Sequence, residues 1–323
     1  MSLDPQARRF LDKFARVEIP PVDQIPLSDL RAMVTPIPGK PDHVAGHDHR
    51  FIPGPDPEVE LPVRIYWPTR NEDVPNASPW PVMVYFHGGG WVVGNLEAYD
   101  SLCRKLANAG QCVVVSVDYR LAPEHQFPTA AEDAHAAAVW VAENAAELDV
   151  DPNRLIVAGD SAGGNLAAAC CLMARDRQSV EIAHQVLIYP VTDHNFDRPS
   201  YIENAEGYML TRHSMQWFWE QYVPSSHDRS HAYASPMRAE SLAGLPAAFV
   251  VSAEFDPLRD EGEAYARRLE ASGVPVELTR CHGQIHGFLR WTDKFDAARD
   301  MVEQIGQCVQ SIGEDDNSLS IAS

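Results

Sequence analysis

The chain has 323 residues, and its 45% hydrophobic and 22% charged residues are typical of a soluble globular protein. Its formal net charge of -20 predicts repulsion of polyanions, so we expect no nucleic-acid partner and no membrane partner. No stretch approaches the roughly 18 apolar residues of a membrane span. Charged residues interrupt residues 1–18, which argues against a signal peptide. We therefore expect a cytoplasmic protein.

The N-terminal residues 1–50 form a segment of their own. The spacing of Phe10, Phe14 and Val17 predicts an amphipathic helix, and a proline-rich stretch follows it. Residues 41–60 lack the cysteine or Glu-x-x-His partner of a common zinc site. We therefore expect a loop or strand there with three exposed histidines, His43, His47 and His49. Residues 61–67 alternate as in an edge strand.

From residue 82 onward, short apolar runs alternate with helical patterns. The runs are rich in β-branched residues, as in strands buried on both faces, and lie at residues 82–86, 112–117, 155–158, 186–189, 248–252 and 276–279. Helical patterns lie between most of them, at residues 97–108, 130–146, 163–175, 259–272 and 294–310. This alternation predicts an α/β fold with a mostly parallel sheet and helices on both faces.

Two segments depart from this alternation. Residues 191–245 are too long for a plain loop and rich in aromatic side chains, which predicts an inserted helical cap that recruits the N-terminal segment. The core is thereby divided into residues 51–190 and 246–312, and we expect the tail, residues 313–323, to be disordered.

The six cysteines form no Cys-x-x-Cys pair, so we expect buried free thiols.

A serine lies where a predicted strand turns into a predicted helix, in the sequence Gly159-Asp160-Ser161-Ala162-Gly163. A serine hydroxyl is a weak nucleophile unless a tight strand–turn–helix presents it to a base, and the small neighbours permit that turn. The N–H of Ala162 lies at the helix N-terminus, where negative charge is stabilised, so we predict that it binds an oxyanion. The motif therefore predicts acyl transfer through Ser161.

A second glycine-rich turn, His87-Gly88-Gly89-Gly90, follows the run 82–86. Glycine lets the backbone approach a ligand closely, so we predict two further oxyanion donors, the N–H groups of Gly88 and Gly89. A serine hydrolase also needs a base and an acid that orients it, and in a doubly wound sheet both follow strand ends. The residues alone leave a choice among Glu254, Asp256 and Asp260, and between His282 and His286.

Together these motifs resemble those of the bacterial hormone-sensitive-lipase-like carboxylesterases, the family IV esterases of the α/β-hydrolase superfamily. The resemblance covers roughly residues 60–310, with the motifs in family order. The stretches that carry it are His87-Gly88-Gly89-Gly90-Trp91, Asp118-Tyr119-Arg120-Leu121-Ala122-Pro123-Glu124-His125 with Phe127-Pro128, Gly159-Asp160-Ser161-Ala162-Gly163-Gly164-Asn165, Asp256-Pro257-Leu258-Arg259-Asp260-Glu261-Gly262 and His286-Gly287-Phe288.

The resemblance implies an α/β-hydrolase fold with a helical cap and a serine carboxylesterase that acts on short- to medium-chain acyl esters. Such a mechanism requires no metal or organic cofactor. The resemblance also implies that Arg120 and Glu124 hold the loops near the site. The implied catalytic residues are Ser161, Asp256 and His286, and the implied oxyanion donors are Gly88, Gly89 and Ala162.

The same residues leave other possibilities for the substrate. An amidase or a lactonase would suit this fold, whereas the presence of His286 argues against a non-catalytic small-molecule receptor. We predict that Trp91 lines or restricts a pocket for a small-molecule ester. Three aromatic residues of the insertion either line that pocket or pack the cap: Trp217, Phe218 and Trp219. Members of this group are often dimers, and the resemblance implies contacts through residues 276–310.

Overall fold

The structure, a computed structural model, describes residues 2–17, 19–36, 41–70, 79–224 and 226–312. Its strands are β1 (Gly46–Pro53), β2 (Glu60–Trp67), β3 (Trp80–Phe86), β4 (Val113–Val117), β5 (Val150–Asp160), β6 (His184–Ile188), β7 (Ala247–Phe255) and β8 (Val276–Ile285). They form one sheet in the order β1-β2-β4-β3-β5-β6-β7-β8. The pairs β1–β2 and β2–β4 are antiparallel and the others are parallel, which confirms the predicted sheet.

The helices alternate with the strands as the sequence predicts. They are α1 (Pro5–Phe14), α2 (Leu27–Met33), α3 (Leu96–Gly110), α4 (Thr129–Glu143), α5 (Ala145–Leu148), α6 (Ala162–Arg177), α7 (Pro199–Glu203), α8 (Arg212–Tyr222), α9 (Ser226–Arg229), α10 (Arg259–Ala271) and α11 (Asp296–Ser311). No helix in the described ranges has the length and apolar character needed to cross a bilayer. The tail predicted to be disordered lies outside the described residues.

Strand β3 shows why the sheet is covered on both faces. Successive side chains of a strand point to opposite faces. Val82, Val84 and Phe86 are fully buried in a cluster with α4, α6 and α10. Met83 and Tyr85 are fully buried in a second cluster with α1, α3 and α11. The run is apolar throughout because neither face meets water.

The edge of the sheet differs from the prediction. Residues 61–67 alternate as in an edge strand, but β1 pairs with β2 and takes the edge position. In this pairing Gly46 lies opposite Trp67 and Pro53 lies opposite Glu60. Strand β1 has little apolar pattern because only Ile52 of its side chains is fully buried. As expected, the three histidines of this region are exposed: His43 before the strand and His47 and His49 within it.

The insertion is helical and touches the N-terminal segment. It contains α7, α8 and α9, and α8 begins with a capping box in which the side chain of Thr211 accepts the N–H of Ser214. His213, on the first turn of α8, lies 2.9 Å from the Asp23 carboxylate of the N-terminal segment. The two segments therefore lie side by side, next to the site described below.

Candidate active site

Ser161 lies on a strained turn between β5 and α6. Its φ of 58° is in the left-handed region, which serine rarely adopts without a reason. A Cβ atom on Gly163 would overlap the carbonyl oxygen of Phe86, and one on Gly159 would overlap the backbone of Gly163. Glycine is therefore needed on both sides of the serine. The turn matches the strand–turn–helix predicted from the sequence.

Asp256, His286 and Ser161 form a continuous chain of hydrogen bonds. The Nδ1 atom of His286 lies 2.7 Å from Oδ2 of Asp256, and its Nε2 atom lies 3.0 Å from Oγ of Ser161. Asp256 is fully buried, and the side chain of His286 is 12% exposed. An imidazole held in this way can accept the serine proton on Nε2 while its Nδ1–H points to the carboxylate.

Two contacts fix the acid at the end of β7. The Leu258 N–H donates a hydrogen bond to Oδ1 of Asp256 at 2.8 Å. The side-chain amide of Asn204, in the insertion, donates a hydrogen bond to the backbone carbonyl oxygen of Asp256 at 3.2 Å. These contacts leave Oδ2 of the carboxylate facing His286. The insertion therefore touches the same loop that carries the acid.

The structure separates the other candidates from this chain of hydrogen bonds. Glu254 accepts the Gly283 N–H at 2.7 Å and lies 3.4 Å from Nδ1 of His282. Asp260 accepts the N–H of Ser200 at 2.8 Å. The choice among three acids and two histidines, which the residues alone leave open, is thus resolved by tertiary geometry.

The oxyanion prediction for Gly88 needs correction. Its N–H donates to Oδ1 of Asp160 at 2.9 Å and also lies 3.0 Å from the hydroxyl oxygen of Tyr99. Asp160 is buried, and the hydroxyl groups of Tyr85 and Tyr99 donate to its two oxygens at 2.9 and 3.0 Å. Burial raises the pKa of Asp160, and these donors lower it. The N–H of Gly88 is therefore already committed to a buried carboxyl group.

The next glycine of the turn offers a better donor. Gly89 and Gly90 have φ values of +123° and +59°, and a Cβ atom on Gly90 would overlap the ring of Phe218. Among the described residues, the N–H groups of Gly89, Gly90 and Ala162 have no protein acceptor. All three glycines of the turn, together with Ser161, line one cavity. The arrangement can thus offer three N–H groups to an oxygen bound beside Ser161.

The cavity has a volume of about 300 Å³ and mainly apolar walls. Its polar part includes Ser161, His286, the glycine turn and Arg290. Val22 and Val34 of the N-terminal segment also line it. The insertion contributes five residues to the lining, Met209, Leu210, Ser214, Met215 and Phe218. Both segments that interrupt the α/β alternation therefore contact the space in front of the serine.

Of the four aromatic residues predicted near the pocket, Phe218 lines the cavity. Trp91 and Trp219 are fully buried and do not line the cavity. The prediction for Trp91 is therefore corrected, and Trp219 takes the second of its two predicted roles, packing of the cap. The ring of Trp91 stacks on Tyr222 at 4.3 Å and meets Trp219 edge-on at 5.1 Å. Trp217 is half-buried and packs against Phe218 with 5.2 Å between ring centroids. These three aromatic side chains pack the insertion onto the core.

Arg31 is a residue of this region that the sequence analysis missed. It lies on α2, and its guanidinium donates to both carboxylate oxygens of Glu124 at 2.8 and 2.7 Å. It also donates to the carbonyl oxygens of Val92 and Ala122, each at 3.0 Å. The resemblance implied a loop-holding role for Glu124 but gave no partner. The two residues are 93 positions apart in the sequence, so no local pattern indicates that they contact each other.

Arg120, the other residue implied to hold loops, has a different partner. Its guanidinium donates to Oδ1 of Asp133 at 2.6 Å, and its backbone N–H donates to Oδ2 at 3.0 Å. Asp133 is fully buried on α4, so this pair ties the loop after β4 to the helix that follows it. In the described part of the chain, no three His, Cys, Asp or Glu side chains are grouped so that they could hold a metal ion.

Known proteins share this architecture along almost the whole chain. A family model described as alpha/beta hydrolase fold matches residues 83–290. The chain is 41% identical over 295 residues to carboxylesterase NlhH of Mycobacterium tuberculosis. The aligned region covers 90% of this chain and 89% of that protein. It is 38% identical over 292 residues to an arylesterase of Saccharolobus solfataricus, which covers 90% of this chain and 93% of that one.

A solved structure agrees with these relatives. An ester hydrolase from the metagenome of Lake Arreo, in complex with a bipyridine phosphonate derivative, has a TM-score of 0.88 and 38% identity to this chain. The similarity covers 96% of this chain and 98% of that one. The chain therefore belongs to the α/β-hydrolase family, in its hormone-sensitive-lipase-like group of carboxylesterases.

Proposed function

We propose that this protein hydrolyses carboxylic esters through an acyl-enzyme on Ser161, with His286 as general base and acid and Asp256 as the residue that orients it. The observation that carries the proposal is the hydrogen-bonded chain from Asp256 through His286 to Ser161, which ends in the cavity. The names of the relatives, a carboxylesterase and an arylesterase, support the same class of reaction.

In the first half of the reaction, Nε2 of His286 takes the proton from Oγ of Ser161 as that oxygen attacks the ester carbonyl. The carbonyl oxygen becomes an anion in the tetrahedral intermediate. His286 then gives its proton to the alkoxide oxygen, the carbon–oxygen bond breaks, and the alcohol leaves. The fully buried carboxylate of Asp256 stabilises the imidazolium formed between these two proton transfers.

In the second half, water takes the place of the alcohol. His286 removes a proton from the water as it attacks the acyl carbon, and a second tetrahedral intermediate forms. Its collapse breaks the bond to Oγ of Ser161, which regains a proton from His286. The carboxylic acid leaves, and the site returns to its first state. Each step uses only groups of this chain and the two substrates, ester and water.

We propose that the oxyanion hole consists of the N–H groups of Gly89, Gly90 and Ala162. Gly88 is replaced in this assignment because its N–H already donates to Asp160. Asp160 instead fixes the start of the glycine turn and so positions the two donors that follow. Preorganised donors of this kind typically contribute about 10²–10³ in rate each.

We further propose that residues 1–50 and 191–245 act together as a cap over a core made of residues 51–190 and 246–312. The hydrogen bond between Asp23 and His213, and the lining side chains from both segments, support this division. Such a cap would determine which acyl and alcohol groups fit. Substrate choice would then depend on residues such as Val22, Met209 and Phe218.

The size of the cavity leads to a prediction for acyl-chain length. About 300 Å³ lies at the lower end of small-molecule sites, so we expect short to medium chains to fit and long ones to protrude. In a series of 4-nitrophenyl esters from C2 to C16, kcat/KM is expected to peak at about C8 or shorter and to fall at least about tenfold by C12. The measurement is initial hydrolysis rate against concentration for each ester.

The same series distinguishes the alternatives. A peak at C12 or longer would contradict the proposed chain-length preference. A matched 4-nitroanilide measured beside the butyrate ester tests for an amidase, and we expect the ester to be hydrolysed faster by orders of magnitude. Comparable kcat/KM for both substrates would reassign the protein as an amidase. No turnover of any ester or anilide would support a non-catalytic receptor.

A further inference from the structure

One cation lies in the wall of the otherwise mainly apolar cavity. Arg290 ends the 3-10 turn Phe288–Arg290, which Gly287 joins to His286, and it lines the same cavity as Ser161. Its guanidinium carbon lies 4.6 Å from the centre of the Tyr99 ring. Its Nη2 atom donates a hydrogen bond to the carbonyl oxygen of Ala98 at 3.2 Å. The base and the cation are thus four residues apart on one wall.

The hydrogen-bonding capacity of this arginine is largely unused. A guanidinium carries five N–H donors, and an unpaired buried donor is unfavourable. The Nε atom of Arg290 is buried and has no hydrogen-bond partner. Among the residues that the structure describes, no carboxylate forms an ion pair with Arg290. The guanidinium is therefore held in place by Tyr99 and Ala98, with donors to spare.

The nearby carboxyl group of Asp160 does not use these donors. Its oxygens accept hydrogen bonds from Tyr85, Tyr99 and the Gly88 N–H, as described above. The charge of Arg290 attracts the Asp160 carboxylate and lowers the pKa of Asp160. Burial has the larger effect and raises that pKa. The attraction acts without a hydrogen bond between the two side chains. It leaves the N–H groups of the arginine free of a bonded anion.

The surface beyond Arg290 also carries positive charge. Trp291 forms part of the cavity wall and also lines a separate apolar groove beside α1. Three cations line that groove, Arg9, Lys13 and Lys294, and the last of them contacts Asp293. On a chain with a net charge of -20, such a cluster is a local exception. An anion that approaches from this side passes these three cations.

We propose that Arg290 binds a carboxylate carried by the ester substrate, so that the preferred substrates are esters with a second, ionised acid group. This inference rests on the proposed ester hydrolysis at Ser161. A planar guanidinium with free N–H groups matches a carboxylate through two parallel hydrogen bonds. The neutral, apolar remainder of the cavity then holds the carbon chain between the two acid groups. Arg290 is a specificity-determining residue in this account.

The test uses pairs of esters that differ only in the distal group, a carboxylate or a methyl. Monomethyl adipate and methyl hexanoate form the acyl-side pair, and 4-acetoxybutyrate and butyl acetate form the alcohol-side pair. For the full-length protein and for Arg290→Gln, kcat/KM is measured by pH-stat titration in about 0.15 M NaCl, where long-range surface effects are screened. We expect Arg290→Gln to lower kcat/KM for one carboxylate ester about 10- to 100-fold more than for its methyl partner, mainly through KM.

Two further variants separate binding from structure. Arg290→Lys keeps the charge without the planar donors, so we expect it to retain part of the preference. Arg8→Gln removes an equal charge from an exposed position of α1, and we expect no change in the ratio within either pair. The pair that responds to Arg290→Gln identifies the acyl or the alcohol side as the carrier of the carboxylate.

The outcomes are distinct from those of the proposed function. If Arg290→Gln lowers kcat/KM equally for both members of both pairs, Arg290 only supports Tyr99 and the helix it lies on, and the carboxylate proposal is overturned. An unchanged ratio with full activity overturns it as well. Ester hydrolysis itself is reported by wild-type turnover of methyl hexanoate and butyl acetate, which does not depend on the carboxylate.

Discussion

Replacement of Ser161 by alanine is expected to lower kcat for 4-nitrophenyl butyrate by about 10⁴- to 10⁶-fold, down to the residual rate provided by binding alone. The reason is the loss of the only oxygen that lies 3.0 Å from Nε2 of His286 among the described side chains. Without it the imidazole has no proton to remove and the acyl group has no covalent acceptor. The measurement is kcat from initial rates. A thermal unfolding curve of the variant checks that it is folded.

Ser116→Ala is the matched control for this variant. Ser116 is a buried serine as well, but it lies on β4 within the sheet. We expect it to keep kcat within about threefold of wild type, since it does not face the cavity. Activity of Ser161→Ala near the wild-type level, in a folded protein, would rule out Ser161 as the nucleophile.

Asp256→Asn is expected to give the second largest loss, about 10³- to 10⁴-fold in kcat. An asparagine fits the same volume and can keep the contact with the Leu258 N–H. Its NH₂ group would then face Nδ1 of His286 and favour the tautomer with the proton on Nε2. That tautomer cannot accept the proton of Ser161, and the imidazolium also loses its stabilising charge. The check is kcat against pH for the variant and the wild type.

Asp260→Asn tests the competing acid that the sequence alone leaves open. Asp260 accepts the backbone N–H of Ser200 and pairs with Arg259, and neither contact involves His286. We expect a decrease of less than about tenfold in kcat, together with some loss of stability. A large loss in Asp260→Asn combined with near-normal Asp256→Asn would exchange the roles of the two acids.

Much of the fold could be predicted because its signals are local. Runs of β-branched residues such as 113–117 are buried on both faces and therefore stand out without any partner in view. The turn at Ser161 also stands out, since glycines at 159 and 163 are required by contacts within a few residues and with β3. Strand β1 was less visible because it is exposed and has Ile52 as its fully buried side chain.

The details of the site depend on contacts between distant parts of the chain. Nothing near Gly88 in the sequence reveals that its N–H is taken by Asp160, which lies 72 positions later. Likewise, the burial of Trp91 follows from its packing on Tyr222 of the insertion. A glycine triplet and a tryptophan are compatible with several roles, and only tertiary packing selects one. Sequence patterns therefore predicted the reaction class more fully than the lining of the pocket.

The most direct test of the account is covalent labelling with a fluorophosphonate probe, followed by intact-mass measurement and peptide mapping. Attack by an activated serine oxygen on phosphorus displaces fluoride and leaves a stable adduct in place of the tetrahedral intermediate. We predict one adduct per chain on Ser161, loss of ester hydrolysis in proportion to labelling, and no labelling of Ser161→Ala. Hydrolysis that persists without an adduct on Ser161, or inactivation through an adduct on another residue, would contradict the proposed mechanism.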